Sequence, residues 1–599
     1  MHIFLLLLCM LASTSLTYRV EMDPTTRTTN GKVVGVNMIS RKGRKFAAFR
    51  GIPYAMPPVG NLRFQEPKEP EKWSHTFFAT KDPPKCAQKN YLFGDQMVEG
   101  SEDCLYINVY TPEFQPQRSR TKLLPVMVFI HWGGFFTGTS RTDYHGPEYL
   151  MDKDVVLVTF NYRLGLLGFF STYDDASPGN FGLKDQNLAL RWVQKNIRYF
   201  GGNKSEVTIF GQSAGGASVH YHMLSRSSRG LFQRAISESG NALALWAQPI
   251  PGIGSKLLPV QASLVGCGEY ILNSSDLVDC MRKVSVETLL QSGDNFKFFS
   301  VDPLSVYQPV IEKKTHRNPN PFITRHPLDY IKNGHFQKVP WIVGLASDDG
   351  LVRTSGLWSQ PEVWKALNSR FDELMPKLML LEISVPKNEV ESTWEKIREF
   401  YFPNLGRRNS SEHDIMRGLT DLYSDRAFHY STYQAVQLHS KMGHEQIRFF
   451  NFDYRGEYSY KTVFSGVNDT RSNYSYNSSH CDELIYLFKS NAFFPSLTNP
   501  NDQKMIDIMV EMWTNFAIHG DPTYNTNIPK WYPIYNKEKH DGSMKNISYL
   551  DISGTYSDAR SQSLQMKTGV YNDRLRFWEN LSLFENIEIL GEKQQKLQR

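Results

Sequence analysis

The chain has 599 residues, 40% of them hydrophobic and 21% charged, with a formal net charge of +6. These proportions belong to a globular protein that can bury a large core, and they exclude an intrinsically disordered one. The positive charge is scattered without a long basic block, which argues against a nucleic-acid surface, and neither sign of charge points to a partner.

In chain order, the apolar run from Met1 to Leu11 is too short to span a bilayer and gives way to small and polar residues. This predicts a secretory signal peptide over residues 1–17, a single domain over 18–599, and a secreted, extracellular protein; a short membrane anchor is the alternative reading. No later segment reads as a transmembrane span, and the C-terminal residues match neither an ER-retention signal nor a GPI tail. Of six cysteines, Cys9 leaves with the signal. The short separations of Cys86 from Cys104 and of Cys267 from Cys280 predict two local disulfide loops, with Cys481 unpaired. Acceptors for N-glycosylation stand at Asn203, Asn273, Asn409, Asn468, Asn473, Asn546 and Asn580. Another begins at Asn477.

Residues 31–39 alternate like an edge strand, and 49–58 break into a proline-rich loop. Residues 105–110 read as a strand. The stretch 125–130 is apolar throughout, which predicts a central parallel strand, and 155–160 a third buried one. Leu188, Trp192 and Val193 recur at helical spacing within 183–197. Residues 207–210 form a β-branched and aromatic run leading into Gly211-Gln-Ser213-Ala-Gly215, a sharp turn, and then a helix. Beyond 240 the pattern loosens: 339–344 and 446–450 look like further strands, and 250–335 and 355–440 like helical insertions over the C-terminal edge of the sheet. The fold class is α/β, a large, mostly parallel twisted sheet flanked by crossover helices.

A serine at a strand-to-helix turn between two glycines has the geometry of an exposed nucleophile. Serine is a weak nucleophile until a base takes its proton, and that base must be held in one tautomer by an acid. The chain offers Asp349, in Ser347-Asp-Asp-Gly350, and His480, in Asn477-Ser-Ser-His-Cys-Asp-Glu483, in the order Ser, acid, His that α/β-hydrolases use.

The chain resembles the carboxylesterase/cholinesterase (type-B esterase) family of the α/β-hydrolase superfamily. The likeness rests on Phe49-Arg-Gly-Ile-Pro-Tyr-Ala55, Glu102-Asp-Cys-Leu-Tyr-Ile-Asn-Val-Tyr-Thr-Pro112, Asn161-Tyr-Arg-Leu-Gly165, Gly179-Asn-Phe-Gly-Leu-Lys-Asp-Gln186, the Ser213 turn, and Trp513-Thr-Asn-Phe-Ala517. It runs from about residue 31 to about 578. The resemblance implies Ser213 as nucleophile, His480 as general base and then acid, and Asp349 as the residue that orients His480. It assigns Gly133, Gly134 and the backbone of Ala214 to an oxyanion hole. Trp132 and Trp246 are assigned to the substrate pocket. The expected ligand is a small-molecule carboxylic ester, with no cofactor, metal or nucleic acid.

The chain departs from most relatives at Trp132, Asp349, Asn477 and Cys481, where they carry glycine, glutamate, glycine and glycine. Because Asp is one methylene shorter than Glu, the backbone near 349 is expected to approach His480 more closely. A glycan on Asn477, three residues from His480, is expected to be absent. The loop between Cys86 and Cys104 lacks the tryptophan with which cholinesterases hold choline. Gln212, Arg63-Phe64 and Asp185-Gln186 resemble the juvenile hormone esterases of insects, but general insect carboxylesterases share Gln212. The first expectation is therefore a broad secreted carboxylesterase and the second a hormone esterase. Retention of all three candidate residues argues against a third, a non-catalytic adhesion ectodomain.

Overall fold

The computed structural model describes residues 23–93, 97–112, 123–405, 411–466, 475–534 and 547–586. Eleven strands form its main sheet: β1 (Val36–Ile39), β2 (Lys45–Pro53), β3 (Tyr106–Thr111), β4 (Leu124–Ile130), β5 (Val156–Phe160), β6 (Gly202–Gln212), β7 (Arg234–Glu238), β8 (Trp341–Ala346), β9 (Ile447–Arg455), β10 (Ser548–Thr555) and β11 (Asp558–Thr568). Their spatial order is β11-β10-β9-β8-β7-β6-β4-β5-β3-β2-β1. From β10 to β5 every pairing is parallel; both flanks are antiparallel.

The sequence explains why β4 is central. Val126, Val128 and Ile130 enter the core on one face of the sheet, while Met127 and Phe129 enter the core on the other. A strand covered on both faces must be apolar at every position, which is the continuous run seen in the sequence. The helices that matter for the site are α1 (Phe181–Asn196), α2 (Ala214–Leu224), α3 (Leu351–Ser359), α4 (Glu412–Ser424), α5 (Tyr430–Lys441), α6 (Pro500–His519) and α7 (Asn572–Glu579). A π-helical turn, Asp425–His429, joins α4 to α5.

Two expectations need correction, and one feature is new. Residues 31–39 are not one edge strand: Lys32–Val34 joins a separate three-stranded sheet, and only Val36–Ile39 edges the main one. Between them Gly35 lies so close to β2 that a Cβ there would sit 2.4 Å from the Ala48 carbonyl oxygen. The 250–335 insertion is helical at its ends, but residues 297–326 hold no helix or strand, and much of this stretch lines the cavity described below. The antiparallel pair β10–β11 was not foreseen at all.

Both disulfides form as spaced, Cys86–Cys104 and Cys267–Cys280, closing loops of sequence separation 18 and 13. Each stabilises the fold by about 3 kcal/mol through restriction of the unfolded chain. Cys481 is free and buried. Asn203 is half-buried, and Asn273 and Asn580 are exposed. Residues 1–17, Asn409, Asn468, Asn473 and Asn546 lie outside the described residues. Asn477 is exposed although its neighbours Ser478 and Ser479 are buried, so nearness to His480 along the chain does not by itself exclude a glycan there. Among the described residues no helix is long and apolar enough to cross a membrane.

Candidate active site

Strand β6 ends at Gln212 and α2 begins at Ala214, leaving Ser213 alone in the turn with φ 55° and ψ −120°. A non-glycine residue there is strained, and the surrounding bonds over-determine it. Its N–H donates to the Glu238 carbonyl at 2.8 Å, and its own carbonyl accepts from the Ala217 N–H at 2.8 Å. Gly215 owes its identity to close approach: a Cβ would fall 1.9 Å from the Ile130 carbonyl oxygen at the end of β4. The turn is thus pressed against the neighbouring strand, and the serine faces the cavity above the sheet.

Asp349 follows the end of β8, and His480 lies in the loop after β9. Asp348, beside Asp349, forms a parallel β-bridge with Ser479. The Asp348 N–H donates to the Ser478 carbonyl at 2.9 Å, and its Oδ2 accepts from the Asn477 N–H at 2.9 Å. Arg417 clamps the same carboxylate at 2.6 Å. With the loops joined backbone to backbone, the shorter Asp349 reaches His480: Nδ1 to Oδ1 is 2.6 Å, with both side chains buried. The bridge fixes the two loops at a separation that Asp349 spans.

The other oxygen of Asp349, Oδ2, accepts from the Ser239 hydroxyl at 2.9 Å and the Ala346 N–H at 3.2 Å. Burial alone would raise the carboxyl pKa, but hydrogen bonds from His429 and His480 bring it below its ordinary value. The acid is held ionised. Phe428 covers the His480 ring at a centroid distance of 4.5 Å. The Gln212 amide nitrogen lies 3.3 Å from both ring nitrogens of His480, while its oxygen accepts from the Cys481 thiol at 3.0 Å. Cys481 occupies the left-handed region at φ 73°, which accounts for the glycine that relatives carry there.

Gly133 and Gly134 follow β4 with φ of 120° and 58°. A Cβ on Gly133 would meet the Thr137 carbonyl oxygen at 2.0 Å. Across from this turn, the start of α2 leaves the Ala214 N–H without an intrahelical acceptor. All of this opens on a cavity of about 570 Å³, lined by Ser213, His480, Gly133, Gly134, Trp132 and Trp246 among mostly apolar residues. Trp246 donates its indole N–H to the Ala427 carbonyl at 2.8 Å and packs against Phe135 and Phe428. Trp132 is almost wholly enclosed, held among Phe93, Tyr144, Tyr460 and Phe493.

Ser213, His480, Gly133, Gly134, Trp132 and Trp246 thus line one cavity, while Asp349 and Ala214 are fully buried outside its lining, Asp349 against His480 and Ala214 next to Ser213. Sequence reasoning missed Ser239, Phe428 and His429. Ser239 has no local signal to mark its partner 110 positions away; the other two lie in a helical insertion whose register the sequence does not fix.

The model of the carboxylesterase family matches residues 22–578. The chain belongs to the carboxylesterase family. It is 46% identical over 569 residues to the juvenile hormone esterase of Tribolium castaneum, with 95% of each chain covered. A carboxylic ester hydrolase of Bombus ignitus is 36% identical over 593 residues, covering 98% of this chain and 99% of that one. Among solved structures, that of the juvenile hormone esterase of Manduca sexta with OTFP covalently attached superposes with a TM-score of 0.79 at 26% identity, over 93% of this chain and 99% of that one. As a carboxylesterase with the α/β-hydrolase fold, the chain is a carboxylic ester hydrolase.

Proposed function

We propose that this carboxylesterase is secreted and cleaves esters by a two-step acyl transfer on Ser213, and that its substrates are long apolar acyl esters of a small alcohol, with juvenile hormone the first candidate. The observation that carries the mechanism is the 2.6 Å contact of His480 with a buried Asp349 beside the cavity that holds Ser213. Asp349 fixes the Nδ1–H tautomer, so Nε2 is the atom available to take the serine proton. Ser213 attacks the ester carbonyl, and the developing oxyanion is met by the N–H groups of Gly133, Gly134 and Ala214. His480 returns the proton to the leaving alcohol. Water then attacks the acyl-enzyme by the same path in reverse.

The substrate class is supported by the apolar cavity of about 570 Å³ and by the two relatives named juvenile hormone esterase. A cavity of that size with a mostly apolar lining admits a long acyl chain. A broad specificity for aliphatic esters is the second reading, favoured by the same cavity. Secretion is supported by the apolar N-terminal run and the two disulfides. The deciding experiment compares kcat/KM for juvenile hormone with kcat/KM for methyl esters of short and long fatty acids. A preference of about 100-fold or more for the hormone is expected; equal values would leave the broad esterase in its place.

A further inference from the structure

Behind Asp349, on the side away from His480, lies a second buried histidine–carboxylate pair. His429 closes the π-helical turn between α4 and α5 and is fully buried. Its Nε2 lies 3.0 Å from the Ala346 carbonyl oxygen and 3.5 Å from Asp349 Oδ2. Its Nδ1 lies 3.2 Å from Asp425 Oδ1. The ring stacks on Tyr571 at 4.7 Å with an interplanar angle of 10°. A carbonyl oxygen only accepts, so Nε2 carries a hydrogen; Asp425 is likewise an acceptor when ionised, which calls for a hydrogen on Nδ1. Arg574 Nη2 carries two hydrogens: it donates to Asp425 Oδ1 at 2.7 Å, and its 3.3 Å approach to Nδ1 is the contact that a neutral His429 with its hydrogen on Nε2 would accept, the alternative to an imidazolium.

We propose that His429 is a positioning residue, an imidazolium clamped between Asp349 and Asp425 that holds the candidate acid ionised and aimed at His480. The charge balance supports it. Two buried carboxylates, Asp349 and Asp425, face two cations, His429 and Arg574; a neutral imidazole would leave one buried negative charge uncompensated. Burial disfavours the imidazolium, yet hydrogen bonds to Asp349 and Asp425 outweigh it and raise the His429 pKa above its ordinary value. The π-helical turn places the ring: an extra residue per turn directs His429 at the end of β8, where Asp349 leaves the sheet. The clamp also answers the shortness of Asp349. A carboxylate that reaches His480 with one oxygen needs its second oxygen anchored, and Ser239, the Ala346 N–H and His429 surround that oxygen.

The charged and titratable groups around His429 are Asp349 from the loop after β8, Asp425 from its own turn, and Arg574 and Tyr571 from the C-terminal segment. Tyr401 bonds Asp425 from a neighbouring helix, and Asp421 pairs with Arg574. His480 lies beyond Asp349. Removing the His429 charge leaves the field of Asp349 on His480 less compensated.

This inference rests on the Ser213–His480–Asp349 reading above, and its test separates the two. Rates are measured per active site titrated with an organophosphate, across pH, for the full chain and for His429→Gln and Asp425→Asn. His429→Gln keeps a neutral N–H donor but loses the charge. The expected result is a plateau kcat lowered about 10-fold and an acid limb of kcat/KM moved up by about one pH unit. Asp425→Asn, which leaves the ring but removes the carboxylate that favours its protonation, should move both in the same direction and serves where His429→Gln does not fold. A folded, titratable variant with the parent's plateau and an unmoved acid limb overturns the proposal, because a merely structural histidine would give that result. A parent enzyme that the organophosphate does not titrate overturns the triad reading and this inference with it.

Discussion

Asp348 and Ser479 pair as a two-residue parallel bridge, and through it the loop carrying Asp349 and the loop carrying His480 become one rigid unit. Backbone geometry, rather than side-chain reach, thereby sets the 2.6 Å contact between acid and base. The consequence is a site with little tolerance in either direction at position 349.

Asp349→Asn should keep the shape but lose the charge that fixes the His480 tautomer, lowering kcat by about 10⁴. Asp349→Glu, the residue that relatives carry, should not be neutral here. Its extra methylene must fit a fully buried gap fixed by the bridge, which costs about 1–3 kcal/mol of strain and about 10-fold in kcat. Steady-state kinetics on the two purified variants check both.

Ser239→Ala removes one donor to Asp349 Oδ2 and one of the two acceptors of the Ala346 N–H, the one at 3.1 Å. Both partners are buried, so a stability loss of about 1–3 kcal/mol is expected, with a several-fold fall in kcat. Urea denaturation with an unchanged m-value, paired with kcat, separates the two effects.

Gly133→Ala places a methyl 2.0 Å from the Thr137 carbonyl at a φ of 120° that L-residues avoid. The turn must shift, taking its N–H with it. A fall in kcat/KM of about 10² to 10³ is expected, carried by kcat rather than KM, as for loss of an oxyanion donor.

Glu238 and Glu483 are two buried carboxyl groups close beneath the site, and Glu238 accepts the Trp513 indole N–H at 2.7 Å. Burial raises Glu238 from 4.5 to about 8. The sign follows: the unfolded chain loses this proton near pH 4.5 and the folded chain near pH 8, so stability falls as pH rises through that window. Glu238→Gln keeps an acceptor for Trp513 and removes the titration. It should stabilise the protein by on the order of 2 kcal/mol at pH 7 and change little at pH 4, read as Tm at the two pH values.

What the sequence made legible was local. The Ser213 turn is written in consecutive residues, a β-branched run and two glycines, and β4 announces itself because both its faces are buried. The contact of Asp349 with His480 spans 131 positions, and only their order along the chain, read through the family resemblance, suggested it. The bridge beneath it has no sequence signature, since any residue can donate a backbone N–H. His429 was invisible for a different reason: a π-helical turn breaks the helical period by which a buried face is recognised. Strand β11 was missed because its residues are polar and largely exposed, with no alternation to mark a buried side.

The central claim, that the chemistry passes through Ser213, is tested most directly by organophosphate labelling followed by peptide mass spectrometry. One phosphoryl group per chain on the peptide carrying Ser213, with activity lost in proportion and absent from Ser213→Ala, is the result expected. Full esterase activity in a folded Ser213→Ala chain, or inhibition with the label on another residue, would contradict it.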